Sequence, residues 1–493
     1  MSRFFRNTLK SLLVLGLFVM AALGGALVLF WPGLGAQVPA TTPPAAADLD
    51  LPPLEASTQR HLRRLEMAVM AQQALARTQQ GRLAEDLRTA AIGLSMWGPF
   101  AELSQRVLVA FGDQPALRQT LSFGMPLVAW MSQPFLFPLD TPGLTVEQQG
   151  QRLLTLIAER ARQGMAITID NVGDASHTEA EAQAYRDFYH ELLSTYGHQG
   201  PAGPLHLSLK LSALVADLPV ALGAEAEGEA KQQEILAALQ ALLAAGHEQA
   251  TAGFFIRIDM EEYAYKDLTL DLFRRLVEME PTLVRDPQGR LRLGLVSQAY
   301  LRDTARDLVA LAGWARTRGL RVPVRLVKGA YEPFEKRLAR TEGRPSPIWN
   351  HKASTDANYE ALAQYLLDNG DAFEPAFATH NLRTQAHIMA LADARGLDRD
   401  QVEFQMLYGM GDPIKAAVVD LGYRLREYVP AGPLYRGLGY AGRRFQELAN
   451  RDNALARSLH GDFSTLAAQP RFEGAEDRAD GAYSLRLIEA QAD

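Results

Sequence analysis

The 493-residue chain contains no cysteine. That excludes disulfides, thiolate metal sites, iron–sulfur clusters and a cysteine nucleophile. It also lacks the H-E-x-x-H zinc pattern and the G-x-S-x-G nucleophile turn. Basic residues are in the minority, 50 against 57 acidic, for a formal net charge of -7. This argues against a general nucleic-acid binder, because phosphate contacts need a basic face. With 47% hydrophobic and 22% charged residues the chain is rich enough in apolar side chains to bury a large core. Length alone predicts two to four domains, or one large domain with appendages.

The N-terminus is short of charge. After Arg3, Arg6 and Lys10 the next charge is Asp48. Ser11 to Trp31 form an apolar run of 21 residues. As a helix it would measure about 31 Å, roughly the hydrocarbon thickness of a bilayer. It reads as a single-pass membrane anchor over residues 1–31, with a cleaved signal peptide as the alternative. Residues 32–53 carry six prolines and read as an extended Pro/Ala-rich linker. The basic N-terminus favours a cytoplasmic start, which sends the body to the non-cytoplasmic side of an inner membrane. Sidedness is left open. No adjacent arginine pair marks export of a folded protein.

Residues 54–165 read as a helical region, with apolar residues at helical spacing and no β-branched run. Eight short apolar runs follow: 166–170, 205–211, 254–259, 291–298, 322–329, 375–380, 402–407 and 425–429. They recur about every 37 residues with helical text between them, near one βα unit. Asp412 and Pro413 mark one helix start, as N-cap and first helical residue. The pattern predicts an α/β fold, a closed (βα)8 TIM-like barrel over 166–455, with an open doubly wound sheet as the rival. A C-terminal tail spans 456–493. Asp170, Lys210, Asp259, Gln298, Lys328, His380 and Tyr428 fall at the ends of these runs. Barrel active sites lie at the C-terminal ends of strands, so this polar ring falls where chemistry is expected.

Other signals are weaker. Gly437 to Gly442 match G-x-G-x-x-G but follow the last strand run, and no further strand with an acid succeeds them, so a dinucleotide site is not expected there. The ten histidines complete no zinc pattern and no metal is expected. The acidic segment 224–230 reads as a solvated loop or helix start.

RLVKGAY (325–331) and REYVPAGPLYRGLGYAGRR (426–444) resemble the proline dehydrogenase family, especially that domain of bifunctional proline utilization A proteins. Segments at 207–214, 258–273, 294–301, 377–381 and 403–410 agree in the same order. The resemblance covers about 165–455 and implies an FAD-bound (βα)8 barrel. Such a barrel oxidises L-proline to Δ1-pyrroline-5-carboxylate and passes electrons to membrane quinone. It implies that Arg443 and Arg444 bind the substrate carboxylate, since guanidinium forks match its planar geometry. Asp174 aligns with the acid that closes the family's site by pairing one of these arginines, a glutamate in relatives. Lys210 and Asp259 match a pair at the substrate site. Leu326, Tyr331, Tyr428 and Tyr440 match walls around the proline ring, which orient it and exclude water.

For the flavin, the same resemblance points to Gln298, Arg325, Val327, Lys328, Thr379 and His380, with Arg325 near the reactive ring nitrogen. The family's tryptophan after GAY is Glu332 here, followed by Pro333. The implied chemistry is hydride transfer from the ring carbon beside a neutral amine, after which the imine hydrolyses to glutamate semialdehyde. The 38 residues after 455 are too few for the relatives' aldehyde dehydrogenase domain, so a separate dehydrogenase is expected to take the product. Two alternatives stand beside this reading. One is a non-catalytic, membrane-anchored proline sensor. The other is a flavin oxidoreductase for another cyclic or N-alkyl amino acid such as hydroxyproline.

Overall fold

The computed structural model describes residues 53–79, 135–139, 145–173, 175–199, 203–250, 253–432, 440, 444, 455, 458 and 468–490. Eight strands are present: β1 (Met165–Asn171), β2 (Leu205–Leu209), β3 (Phe254–Ile258), β4 (Leu293–Gln298), β5 (Val322–Val327), β6 (Phe373–Ala378), β7 (Glu403–Leu407) and β8 (Arg424–Gly432). Each pairs parallel with the next, and β8 pairs with both β7 and β1. The sheet is therefore a closed barrel, which removes the open-sheet alternative. Phe137–Pro138 adds a short parallel pairing at the end of β8.

Helices fill the crossovers: α1 (Pro53–Gln79) and α2 (Val146–Arg162) before β1, then α3 (Glu179–Gln199), α4 (Ala226–Gln249), α5 (Lys266–Met279), α6 (Thr304–Arg316), α7 (Glu332–Glu342), α8 (Lys352–Asp368), α9 (Leu382–Ala394) and α10 (Asp412–Asp420), with α11 (Ala475–Glu489) after the barrel. Thr145 and Gln148 close a reciprocal capping box on α2. At α10 the N-cap is Gly411, at φ 67°, and not Asp412 as the sequence suggested. Asp412 is the first helical residue, where its carboxylate accepts from Lys415 at 2.9 Å. The acidic segment 224–230 is the exposed entry into α4.

Strand pairing fixes which residues face inward. Ser208 sits beside Arg257, Val296 beside Arg325, Arg325 beside Ala376, and Gln405 beside Arg426. Residues paired across parallel strands share a face, so this set lines the lumen. The alternate residues, among them Ile169, Leu207, Ile256, Leu295, Val324, Phe377 and Phe404, are buried under the helices. The apolar core is thus the layer between sheet and helices. The lumen, usually filled by branched aliphatics, instead holds Arg257, Arg325, Arg426, Glu403 and Gln405, all buried.

α1 belongs to the helical shell. Leu62, Leu65 and Val69 form one buried stripe, and the helix packs on α9 and α10. Its polar contacts are also buried: Arg383 donates to both Glu55 oxygens, one at 2.6 Å, and Thr58 Oγ1 lies 3.3 Å from His387 Nδ1. Among the described residues no helix is long and apolar enough to cross a membrane and no group of side chains could hold a metal ion. The apolar run 11–31, the linker 32–52, most of residues 80–144 and the 437–442 glycine motif lie outside the described residues.

Candidate active site

The C-terminal ends of the strands carry a connected polar cluster. Asp170, near the end of β1, is buried, and both its carboxylate oxygens accept from Lys210 Nζ at 2.8 Å. Lys210 follows β2 and opens a single helical turn, its backbone N–H donating to Tyr185 Oη at 3.0 Å. Burial works against the charge on Lys210, but Asp170, with Tyr185 and Asp259 behind it, holds the ammonium's pKa above its ordinary value. Burial, reinforced by Asp259, raises the Asp170 carboxyl against the opposing pull of Lys210, while Lys210 keeps its proton and acts as a fixed donor rather than a base.

Asp259 follows β3 and ties three strands together. Its Oδ1 accepts from Arg325 at 2.8 Å and from Ser208 Oγ at 3.2 Å, and its Oδ2 accepts from Tyr428 Oη at 2.9 Å. Arg325 also donates to Ser208 Oγ at 2.9 Å and to Gln405 Oε1 at 2.6 Å, and its guanidinium lies over the Tyr428 ring at 5.2 Å. Burial, reinforced by Asp170 and Asp259, pushes the Tyr428 phenol well up, so it stays protonated as a donor. The resemblance couples Lys210 with Asp259; here each is engaged elsewhere, Lys210 by Asp170 and Asp259 by Arg325.

A second group lies on β4 to β7. Gln298 Nε2 donates to the Met260 and Glu261 carbonyls at 3.2 Å. Its Oε1 is buried and has no hydrogen-bond partner among the described residues. Val327 pairs with Gln298 across the strands and shares its lumen face. Lys328 forms an ion pair with Asp356 on α8 and lies 6.0 Å over the Tyr359 ring. Burial lowers its pKa, with Asp356 opposing. Gly329 adopts φ +133°, and a Cβ there would sit 2.4 Å from the Tyr300 ring, so the chain turns where only glycine fits. Thr379 is buried in the turn after β6, its N–H donating to the Gln405 carbonyl at 3.2 Å. His380 Nε2 accepts the Leu407 N–H at 3.1 Å, which places the ring proton on Nδ1. Burial, with Lys415, Arg444 and Lys328 nearby, lowers its pKa to about 3, so it is neutral.

Arg444 and Tyr440 stand four residues apart in helical backbone, the guanidinium 5.0 Å from the ring centre. Arg444 is buried and close enough to lower the pKa of His380, which brings this corner to the β6 end of the cluster. Tyr331 caps α7, half-buried. Leu326 is fully buried and alternates with lumen-facing Arg325, so its side chain joins the apolar layer outside the sheet. Arg443 and Asp174 lie outside the described residues. Glu332 and Pro333 form the first turn of α7, Glu332 accepting from Lys336 at 2.6 Å, where an acid suits the helix dipole and proline lacks no needed bond.

Sequence reasoning left Ser208 and Gln405 out of the site and gave Asp170 a place in the polar ring but no role. Their signal is a polar residue at every second position of an apolar strand, as in EFQML, where Glu403 and Gln405 both face the lumen.

A closed parallel barrel with a hydrogen-bonded polar cluster and a cation–aromatic corner at the C-terminal strand ends has the layout in which barrel enzymes carry their active sites. Residues 153–457 match the family model described as "Proline dehydrogenase", and the chain belongs to that family. It is 32% identical over 299 residues to bifunctional protein PutA of Klebsiella aerogenes, covering 58% of this chain and 21% of that protein. It is 29% identical over 272 residues to proline dehydrogenase 1 of Bacillus subtilis (strain 168), covering 55% and 75%. Proline utilization A from Bdellovibrio bacteriovorus, solved after inactivation by N-propargylglycine, superposes with TM-score 0.69 at 29% identity, over 86% of this chain and 44% of that one. The chain therefore spans less than half the length of these two PutA proteins.

Proposed function

We propose that the chain oxidises L-proline to Δ1-pyrroline-5-carboxylate with FAD as its resident cofactor. The observation that carries this reading is the unpartnered, buried Gln298 Oε1, on a residue paired across the strands with Val327, in the stretch that carries Arg325 and Lys328. An acceptor with no donor, beside a stretch that carries cations, suits a ligand offering ring N–H groups and anionic oxygens. Gln298, Arg325, Val327, Lys328, Thr379 and His380 would hold it. When bound, FAD would supply the acceptor for a hydride from the proline ring carbon beside nitrogen and the route for the electrons to membrane quinone.

The remaining work falls to the chain's own residues. Arg444, with Arg443, binds the substrate carboxylate, and Tyr440 holds the Arg444 guanidinium by its ring face. Asp174 closes the site over that pair. Tyr428, Tyr440 and Tyr331 orient the substrate ring and exclude water. Lys210 stays cationic against Asp170, so it does not take the amine proton; proline enters with that proton lost to solvent. Residues 11–31 anchor the chain in the inner membrane, and a separate dehydrogenase consumes the glutamate semialdehyde formed when the product hydrolyses.

The test is anaerobic titration of the purified protein with L-proline, read in the flavin absorption band. Bleaching is expected. A yellow protein that bleaches only with hydroxyproline or an N-alkyl amino acid would replace the substrate. A colourless protein that still binds proline would make the barrel a sensor.

A further inference from the structure

Residues 468–490 lie beyond the stretch matched by the family model, and the proposed chemistry does not use them. Yet α11 carries a carboxylate with no solvent exposure. Asp477 accepts from Arg302 at 2.8 Å and from the backbone N–H groups of Asn350 and His351 at 3.0 and 3.1 Å. Such N–H groups at a helix start have no acceptor within the helix. His351, the N-cap of α8, makes no side-chain cap bond of its own. The cap of α8 comes instead from a residue 126 positions later in the chain.

The capped loop touches the cofactor residues. The Trp349 indole donates to the Ala299 carbonyl at 3.0 Å, and its backbone N–H donates to the Tyr300 carbonyl at 2.9 Å. Ala299 and Tyr300 in turn donate to the Val327 and Lys328 carbonyls, both at 2.8 Å. α8 itself carries Asp356, the partner of Lys328. Arg302 stacks over Trp349 at 5.2 Å and donates to Asp480 at 2.5 Å. At Gly474, with φ +74°, a Cβ would meet the His351 ring at 2.8 Å, so α11 enters in close contact with this loop.

We propose that α11 is a positioning element of the cofactor pocket: Asp477 caps α8 from outside the family's matched region and so sets Lys328 and Gln298 for the cofactor's polar groups. This rests on the flavin reading above. Asp477→Asn in the full-length protein keeps the side chain's size and removes its charge. Apoprotein titrated with FAD should bind roughly tenfold more weakly, the equivalent of one lost charge-assisted hydrogen bond. Proline KM of the FAD-saturated enzyme should stay the same. In a double-mutant cycle, Lys328→Met should absorb most of the Asp477→Asn effect, because the carboxylate acts through the α8 partner of Lys328. Asp480→Asn, at the exposed edge of the same contact, should give a smaller shift in the same direction and covers the case in which Asp477→Asn does not fold. Unchanged FAD affinity in a variant with a lowered Tm, or full additivity with Lys328→Met, would overturn the proposal. Wild-type protein that takes up no FAD would sink the flavin reading as well, which separates the two failures.

Discussion

At the scale of single residues, the site is held by charges that satisfy one another. Asp259 gives Arg325 its one carboxylate among the described contacts, and both side chains are largely buried. Asp259→Asn should therefore destabilise the fold by about 3–5 kcal/mol, because it leaves a buried guanidinium without its counter-charge; denaturant unfolding measures this. Arg444→Met should leave FAD content intact and raise proline KM by about tenfold to a hundredfold, the range for a lost charge-assisted contact. An unchanged kcat/KM would remove Arg444 from the carboxylate clamp. Much of this cluster is legible as text: Asp170, Lys210, Gln298, His380 and Tyr428 are polar groups ending apolar runs. Their partners are not. That Lys210 meets Asp170 depends on β1 and β2 being neighbours in register, and that Leu326 turns away from Arg325 depends on the pleat, neither of which a motif match contains.

At the scale of elements, strands were easier to read than their faces. All eight runs became strands within a few residues of their expected limits, because apolar text every βα unit has few other solutions. The charged lumen was hidden because Arg257, Glu403 and Arg426 alternate with apolar neighbours and read as ordinary half-buried positions. α1 was legible as a helix, but its docking on α9 was not, since Glu55, Thr58 and His61 look like surface residues until Arg383, His387 and Asp393 are placed opposite them. On α1, Glu66 is only 5% exposed, and burial, opposed by Arg63, pushes its pKa up to about 7. A raised carboxyl favours the protonated form in the folded state, so its stabilising contribution is full below the unfolded value near 4.5 and is lost as pH rises through about 7. Glu66→Gln should thus gain Tm relative to the parent on going from about pH 5 to about pH 8. Parallel pH profiles for the two proteins would show that Glu66 is not held this way.

At the scale of the whole molecule, the barrel and its shell stand or fall together. A fragment beginning at Pro53 keeps the Glu55–Arg383 contact and should fold, whereas one beginning at residue 80 strips a buried counter-charge and the Leu62–Val69 stripe from α9. The shorter fragment should be insoluble or lose several kcal/mol of stability; soluble yield and thermal melting compare them. α1 runs alongside α9 in the same direction: Glu55 meets Arg383 at the start of α9, and His61 meets Asp393 at its end. The start of α9 is the strand-end face, a few residues from Thr379 and His380. Pro53, at the start of α1, therefore lies on the strand-end side of the barrel and not on the opposite face. If fully extended, the proline-rich 32–53 stretch would be a leash of about 65 Å. If residues 11–31 lie in a bilayer, as proposed, the leash would meet the barrel on its strand-end side, the side that a lipid-dissolved electron acceptor would have to reach.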